Sequence, residues 1–157
     1  MKKTRILLTL LAVALASGLL FVSCPTEDKK EEDGLDGTWV YVEEGSRGDS
    51  SYKYVVTYTF SNGNFEEELV STSTEIVEGT PTTSSFTSKG KGTYITSGSL
   101  LTMTTTQVSD GSTWYTKAEA IAKYGENNVA STFEPQKMPF AVSGKTLYLR
   151  STAFTKQ

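Results

Sequence analysis

The chain has 157 residues, 15 of them basic and 18 acidic, with no histidine and a single cysteine. That length suits one domain whose core closes without disulfides. The composition excludes Ser-His-Asp and Cys-His nucleophiles and His/Cys metal clusters, and an acidic balance without a basic stripe excludes a nucleic-acid groove.

The chain opens with a basic stretch, Met1 to Arg5, followed by an apolar run over residues 6–22. Ser23 is small, and Cys24 comes next. A basic, an apolar and a small-residue region in that order have the form of a secretory signal, here residues 1–23. The apolar run is near the lower limit for a membrane span, and acidic residues follow it rather than a basic stop-transfer flank. Residues 24–34 carry carboxylates, lysines, a proline and a glycine but no large apolar side chain, so they read as a solvated tether. Losing Lys2, Lys3 and Arg5 leaves 12 basic residues against 18 acidic ones.

The stretch Phe21-Val22-Ser23-Cys24 resembles a bacterial lipobox, with Phe21 in place of the usual leucine. The resemblance implies cleavage before Cys24, a thioether diacylglycerol on its sulfur and an acyl chain such as palmitate on the new amino terminus. Two or more chains hold a protein stably, at about 0.8 kcal/mol per buried methylene. The expected localisation is the bacterial cell envelope, outer membrane or cell surface ahead of inner membrane, with the lipid as membrane partner.

From residue 35 to residue 157 the pattern is that of a β domain. Trp39, Val40 and Val42 fall in a first strand over residues 35–44. Arg47-Gly48-Asp49 follows in a Gly/Ser loop; this tripeptide is one that integrins recognise, but Gly, Asp and Ser also make an ordinary turn. In residues 52–60, Tyr52, Tyr54, Val56, Tyr58 and Phe60 share one face, as in a half-buried strand. Asn62-Gly63 is a strong hairpin signal. Phe65 and Leu69 share a face on the return strand, and Glu67 interrupts it, so a bulge or a strand leaving the core is expected there. Residues 71–88 are mostly Ser and Thr and read as two hydroxyl-faced strand ends around Gly79 and Pro81. Gly90 and Gly92 sit inside the next strand, where glycine permits a sharp bend. In residues 99–108, Leu101, Met103, Thr105 and Gln107 share a face.

Residues 116–124 are the one helical stretch, with Thr116 and Glu119 at capping-box spacing and Gly125 as the stop. Ala118, Ile121 and Ala122 would form its apolar stripe. A last hairpin over residues 138–154 turns at Gly144-Lys145. The sum is all-β, seven or eight almost entirely antiparallel strands with one short helix in a late insertion, which suggests an up-and-down barrel or a sandwich.

Gly37-Thr38-Trp39 at the opening of the domain resembles the Gly-x-Trp start of lipocalins and lipocalin-like domains of bacterial lipoproteins. The likeness covers residues 35–154 as an architecture and implies an all-β, antiparallel, up-and-down barrel of eight strands. It implies that Gly37 lets the chain enter the barrel closely and that Trp39 plugs the closed end. It also implies that a late-strand arginine, by position Arg150, stacks on that indole. The expected function is binding of a small hydrophobic ligand, with Tyr54, Tyr58, Tyr94, Met103 and Gln107 as lining. The alternative is an interaction or adhesion module whose core those same side chains fill. No cofactor and no catalytic group is expected; Glu43, Glu67 and Glu134 are available carboxylates that no motif pairs.

Overall fold

The computed structural model describes residues 34–157. Cys24, the signal and most of the tether lie outside the described residues. The elements are β1 (Gly37–Arg47), β2 (Ser50–Ser61), β3 (Asn64–Val77), β4 (Thr80–Ser97), β5 (Leu100–Ser109), β6 (Trp114–Thr116), α1 (Lys117–Tyr124), α2 (Glu126–Val129), a 3-10 turn at Ala130–Phe133, β7 (Gln136–Ser143), β8 (Thr146–Leu149) and β9 (Thr152–Lys156). All pairings are antiparallel.

Strands β1 to β5 pair in sequence, β5 pairs with β7, β7 with β8, β8 with β9, and β9 returns to β1. Eight strands therefore close an up-and-down ring, and β6 lies beside β5 outside it. β6 and β7 share one edge of β5, β6 along Gln107–Ser109 and β7 along Leu100–Met103. Stepping from partner to partner round the ring returns the register to β7 roughly a dozen residues from its start. Such stagger is what closing a tilted sheet requires.

Tight turns set the hairpins. Asn62-Gly63 and Glu78-Gly79 both hold positive φ at their two central positions, which matches the twist of the strands they join. The second of these makes the Ser/Thr-rich segment the two hydroxyl-faced strand ends expected, joined by a tight turn into one long hairpin. Its hydroxyls pair across the ladder, Ser73 with Ser84 at 3.0 Å and Thr74 with Thr83 at 2.9 Å. Pro81 lies in the part of β4 that pairs only with β3, so its missing N–H breaks no ladder bond on the free side. The Gly/Ser loop expected around Arg47 is likewise a tight hairpin, with only Gly48 and Asp49 outside the strands.

Three strand details correct the sequence reading. β3 carries no bulge at Glu67; its register with β2 is continuous from Asn64 to Glu75. The irregularity lies instead between β4 and β5, where Lys91 faces Gln107 and Gly92 faces Thr105, leaving Thr106 unopposed. Glycine is required at residue 92 because a Cβ there would run into the Thr104 carbonyl oxygen. The last hairpin is two turns, not one: β8 ends at Leu149, and Arg150 and Ser151 turn the chain into β9. Arg150 takes φ 56, a conformation a β-sheet turn needs and a non-glycine residue rarely supplies.

The core lies at the end of the ring where β1 begins. Leu35, Trp39, Phe60, Phe65, Leu101, Met103, Phe140, Leu147, Leu149 and Phe154 form its buried cluster. Edge-on aromatic contacts knit it, Phe60 to Tyr94 at 5.1 Å and Tyr58 to Phe154 at 5.4 Å. Such pairs contribute about 0.5–1.5 kcal/mol beyond area burial.

The insertion after β5 is helical for longer than the sequence suggests, because α2 and the 3-10 turn continue it past Gly125. Its start is the expected capping arrangement: the Thr116 N–H and hydroxyl both donate to Glu119 Oε2 at 2.8 Å. The packed face differs from the expected stripe. Ala120 is buried and Ile121 half-buried, while Ala118 and Ala122 are exposed. Phe133 of the 3-10 turn is the large apolar side chain that the insertion buries.

Candidate functional site: the open end of the barrel

One row of residues divides the barrel. Trp39 faces Tyr58, Tyr58 faces Glu67, Glu67 faces Gly90, and Gly90 faces Val108, across five neighbouring strands. Residues in such a row share one face of a sheet. Trp39 is 0% exposed, so that face is the interior, and Glu67 points inward. Toward the β1 start lies the packed cluster. Toward the other end, the same interior face of β3, β4 and β5 lines a recess of about 460 Å³.

Leu69, Phe86 and Val108 supply its apolar wall, and Tyr124, Val129 and Thr132 of the helical insertion close it from the other side. Glu67 lies at its floor. The Tyr58 hydroxyl donates to Glu67 Oε1 at 2.9 Å. Burial pushes the Glu67 carboxyl above its ordinary value, and the Tyr58 hydrogen bond partly offsets that rise. Burial, with the Glu67 charge and hydrogen bond beside it, pushes the Tyr58 phenol far up, so it stays a neutral donor. A smaller hollow of about 270 Å³ is lined by Tyr58 itself with Met138, Leu149, Arg150, Thr152 and Phe154. Volumes of a few hundred Å³ with apolar walls and a few polar groups are typical of small-molecule sites.

The rim is stapled by Asp110. Its Oδ1 accepts from the Ser112 hydroxyl at 2.9 Å and from the Ser112 and Thr113 backbone N–H groups at 3.2 Å. Its Oδ2 accepts from Lys123 at 2.9 Å and from the Tyr115 and Tyr124 hydroxyls at 3.2 Å. These donors, Lys123 first, hold the Asp110 carboxyl far below the usual carboxylate range. Lys123 also lies over the Tyr115 ring, 4.2 Å from its centroid. This cluster fastens α1 to the end of β5, and so holds one wall of the recess.

At the closed end, the Trp39 indole N–H donates to the Leu35 carbonyl at 2.7 Å, which satisfies its one polar atom in the core. The cation over its ring is not Arg150. Lys156 takes that place, with its ammonium 5.0 Å from the ring centroid. Lys156 faces Trp39 in the β1–β9 register. Its stem crosses Gly37, where a Cβ would come within 2.7 Å of Lys156 Cε, and Gly37 holds φ 131. Arg150, displaced by the β8–β9 turn, lies at the smaller hollow beside Tyr58 instead. The three residues Gly37, Trp39 and Lys156 thus form one unit, and Lys156 is the member that sequence reasoning missed. Its parity with Phe154 on β9 was the available signal.

The five tyrosine, methionine and glutamine positions expected to line a pocket part company. Tyr58 lies between the two hollows. Tyr54 is on the interior face nearer the rim, 5.5 Å from the Tyr52 ring. Tyr94 lies at the closed end, where its hydroxyl donates to Asp36 at 2.7 Å. Met103 is core. Gln107 faces Lys91 on the outer side, because the extra residue Thr106 resets the alternation and brings Val108 inward in its place. Arg47, Gly48 and Asp49 are all exposed at a hairpin tip.

Among the described residues no group of three His, Cys, Asp or Glu side chains is placed to hold a metal ion. None of the described helices is long and apolar enough to cross a membrane. The chain matches no family model and no curated protein.

Proposed function

We propose that this protein is a lipid-anchored lipoprotein of the bacterial cell envelope whose lipocalin-like barrel binds a small hydrophobic ligand at its open end. The anchor rests on the Phe21-Val22-Ser23-Cys24 motif behind a basic and apolar leader. The observation that carries the binding reading is the recess floored by Glu67 and walled by Leu69, Phe86 and Val108, beside the buried cluster at the other end of the ring. A barrel of eight strands has just enough interior to be packed by side chains or to hold one small ligand, and this one divides between the two. Enzymatic activity forms no part of the reading, in which Glu67 serves as a binding group.

The test compares the full-length protein with Gly90→Leu. A Cβ at Gly90 meets only ordinary contacts, Glu67 Oε2 at 3.8 Å and Thr105 Cγ2 at 3.9 Å, so a larger side chain there enters the recess without disturbing the backbone. Organic extraction and mass spectrometry of both proteins should recover a small apolar molecule from the wild type in near-stoichiometric amount, and much less from the variant. Equal recovery from both would refute binding at this recess. Anchoring is tested separately: Cys24→Ser should abolish incorporation of labelled palmitate and leave the leader uncleaved.

A further inference from the structure

We infer that the open-end recess selects amphiphiles by the hydrogen-bond donors of their head group, taking an ammonium head first and a hydroxyl second, and rejecting carboxylates. This deepens the proposed ligand-binding reading and rests on it. The observation is the division of labour at the recess floor. Tyr58 gives its one proton to Glu67 Oε1, so it has no donor left for a ligand. Tyr58 is the only hydrogen-bond donor to Glu67 among the described residues. No buried side-chain oxygen or nitrogen among these residues lacks a partner, so Glu67 Oε2 is not sealed off, and Glu67 lines the recess. Its position beside Gly90, 3.8 Å from where a Cβ would sit, places it against the β4 wall.

The floor therefore presents an acceptor, and the remaining charges do not reverse that. From the rim, Asp110 is neutralised by Lys123 at 2.9 Å, with the Tyr115 and Tyr124 hydroxyls turned to the same carboxylate. On β3 and β4, Glu68 and Lys89 pair at 2.8 Å on the outer side. Arg150, at the β8–β9 turn, bears on Tyr58 from the other hollow. An ammonium reaching Glu67 would form a charge-assisted hydrogen bond in partly dry surroundings, whereas a carboxylate would meet a like charge. The apolar walls at Leu69, Phe86, Val108 and Val129 would take the chain.

The experiment titrates the full chain, reconstituted in phosphatidylcholine nanodiscs, with dodecylammonium, dodecanol and laurate, each against empty discs by calorimetry. Dodecylammonium should bind tightest and laurate weakest. Glu67→Gln, whose amide oxygen still accepts the Tyr58 proton, should weaken dodecylammonium by about tenfold and leave dodecanol within about twofold. Dodecylammonium binding to the wild type should fall as pH drops through the Glu67 titration. The variant should show no such fall. Equal or tighter laurate binding, or an ammonium affinity indifferent to Glu67→Gln, overturns the head-group inference while leaving the recess as a binding site. Binding of all three amphiphiles unchanged by Gly90→Leu, or no binding at all, overturns the recess reading itself.

Discussion

The two ends of this barrel are built from the same strands and differ in almost everything else. At the closed end, β1, β2 and β3 contribute Trp39, Phe60 and Phe65 to the buried cluster, with the small hollow at Leu149 and Phe154 on its margin. A few residues further along, the interior positions of β3 and β4 become Ser71, Ser73, Ser84 and Ser88, with Glu67 at the boundary. Small hydroxyl side chains cannot fill a barrel of this width, and Phe86, the large apolar residue among them, is 59% exposed. Stability is concentrated where side chains are large, and space is left where they are small. That separation places the buried cluster at one end of the ring and open space at the other.

The largest effect should come from the solid end. Trp39→Ala removes the largest fully buried side chain and should cost about 3–5 kcal/mol in chemical denaturation. A loss under about 1 kcal/mol would mean that the closed end does not dominate stability. Gly92→Ala comes next, at about 3 kcal/mol, because the neighbour it strikes is the Thr104 backbone rather than a side chain that could move. Tyr58→Phe sits on the boundary. It leaves the Glu67 carboxylate without its donor and should cost about 1–3 kcal/mol.

Acid should separate the two polar clusters in opposite senses. Burial raises the Glu67 pKa above its ordinary 4.5, so its protonated form is favoured by folding. Its contribution to stability is complete below the unfolded value and is lost as pH rises through the folded one. Glu67→Gln should therefore be more stable than wild type near neutral pH and converge with it in acid. Asp110 has the reverse sign: its carboxyl is held below its ordinary 3.8, so its contribution is present above that value and fades as pH falls toward the folded one. Hydrogen exchange in α1 should rise in Asp110→Asn at neutral pH while β1 and β2 stay protected; uniform protection would show that the staple does not hold the helix. The smallest effect is expected at Ile95→Thr, within about 0.5 kcal/mol, since Ile95 is 69% exposed and its backbone pairs with Thr102 of β5 whatever its side chain.

Much of the ring was legible because strand alternation and turn chemistry are local. Asn62-Gly63 and Gly144-Lys145 mark their hairpins, and the capping pair Thr116 and Glu119 marks α1. What escaped was non-local. Glu67 breaks an apolar pattern, and only its partner Tyr58, on the facing strand, shows why an acid can point inward. Gln107 shares parity with Met103 in the sequence, but one unopposed residue turns it outward. Arg150 takes positive φ in a turn that no glycine, proline, asparagine or aspartate marks, so the turn was not read, and with it went the choice of Lys156 over Arg150 beside Trp39. The recess itself depends on where the insertion folds back, through Tyr124 and Val129, and no pattern within either segment records that contact.

The account's central claim, a filled end and a receptive end within one ring, is tested most directly by crystals of the protein soaked with a bromine-labelled alkylammonium. Anomalous scattering should place the bromine between Val108, Phe86 and Val129, with the nitrogen on Glu67. Bromine found among Trp39, Phe60 and Leu147, or nowhere inside the ring, would contradict it.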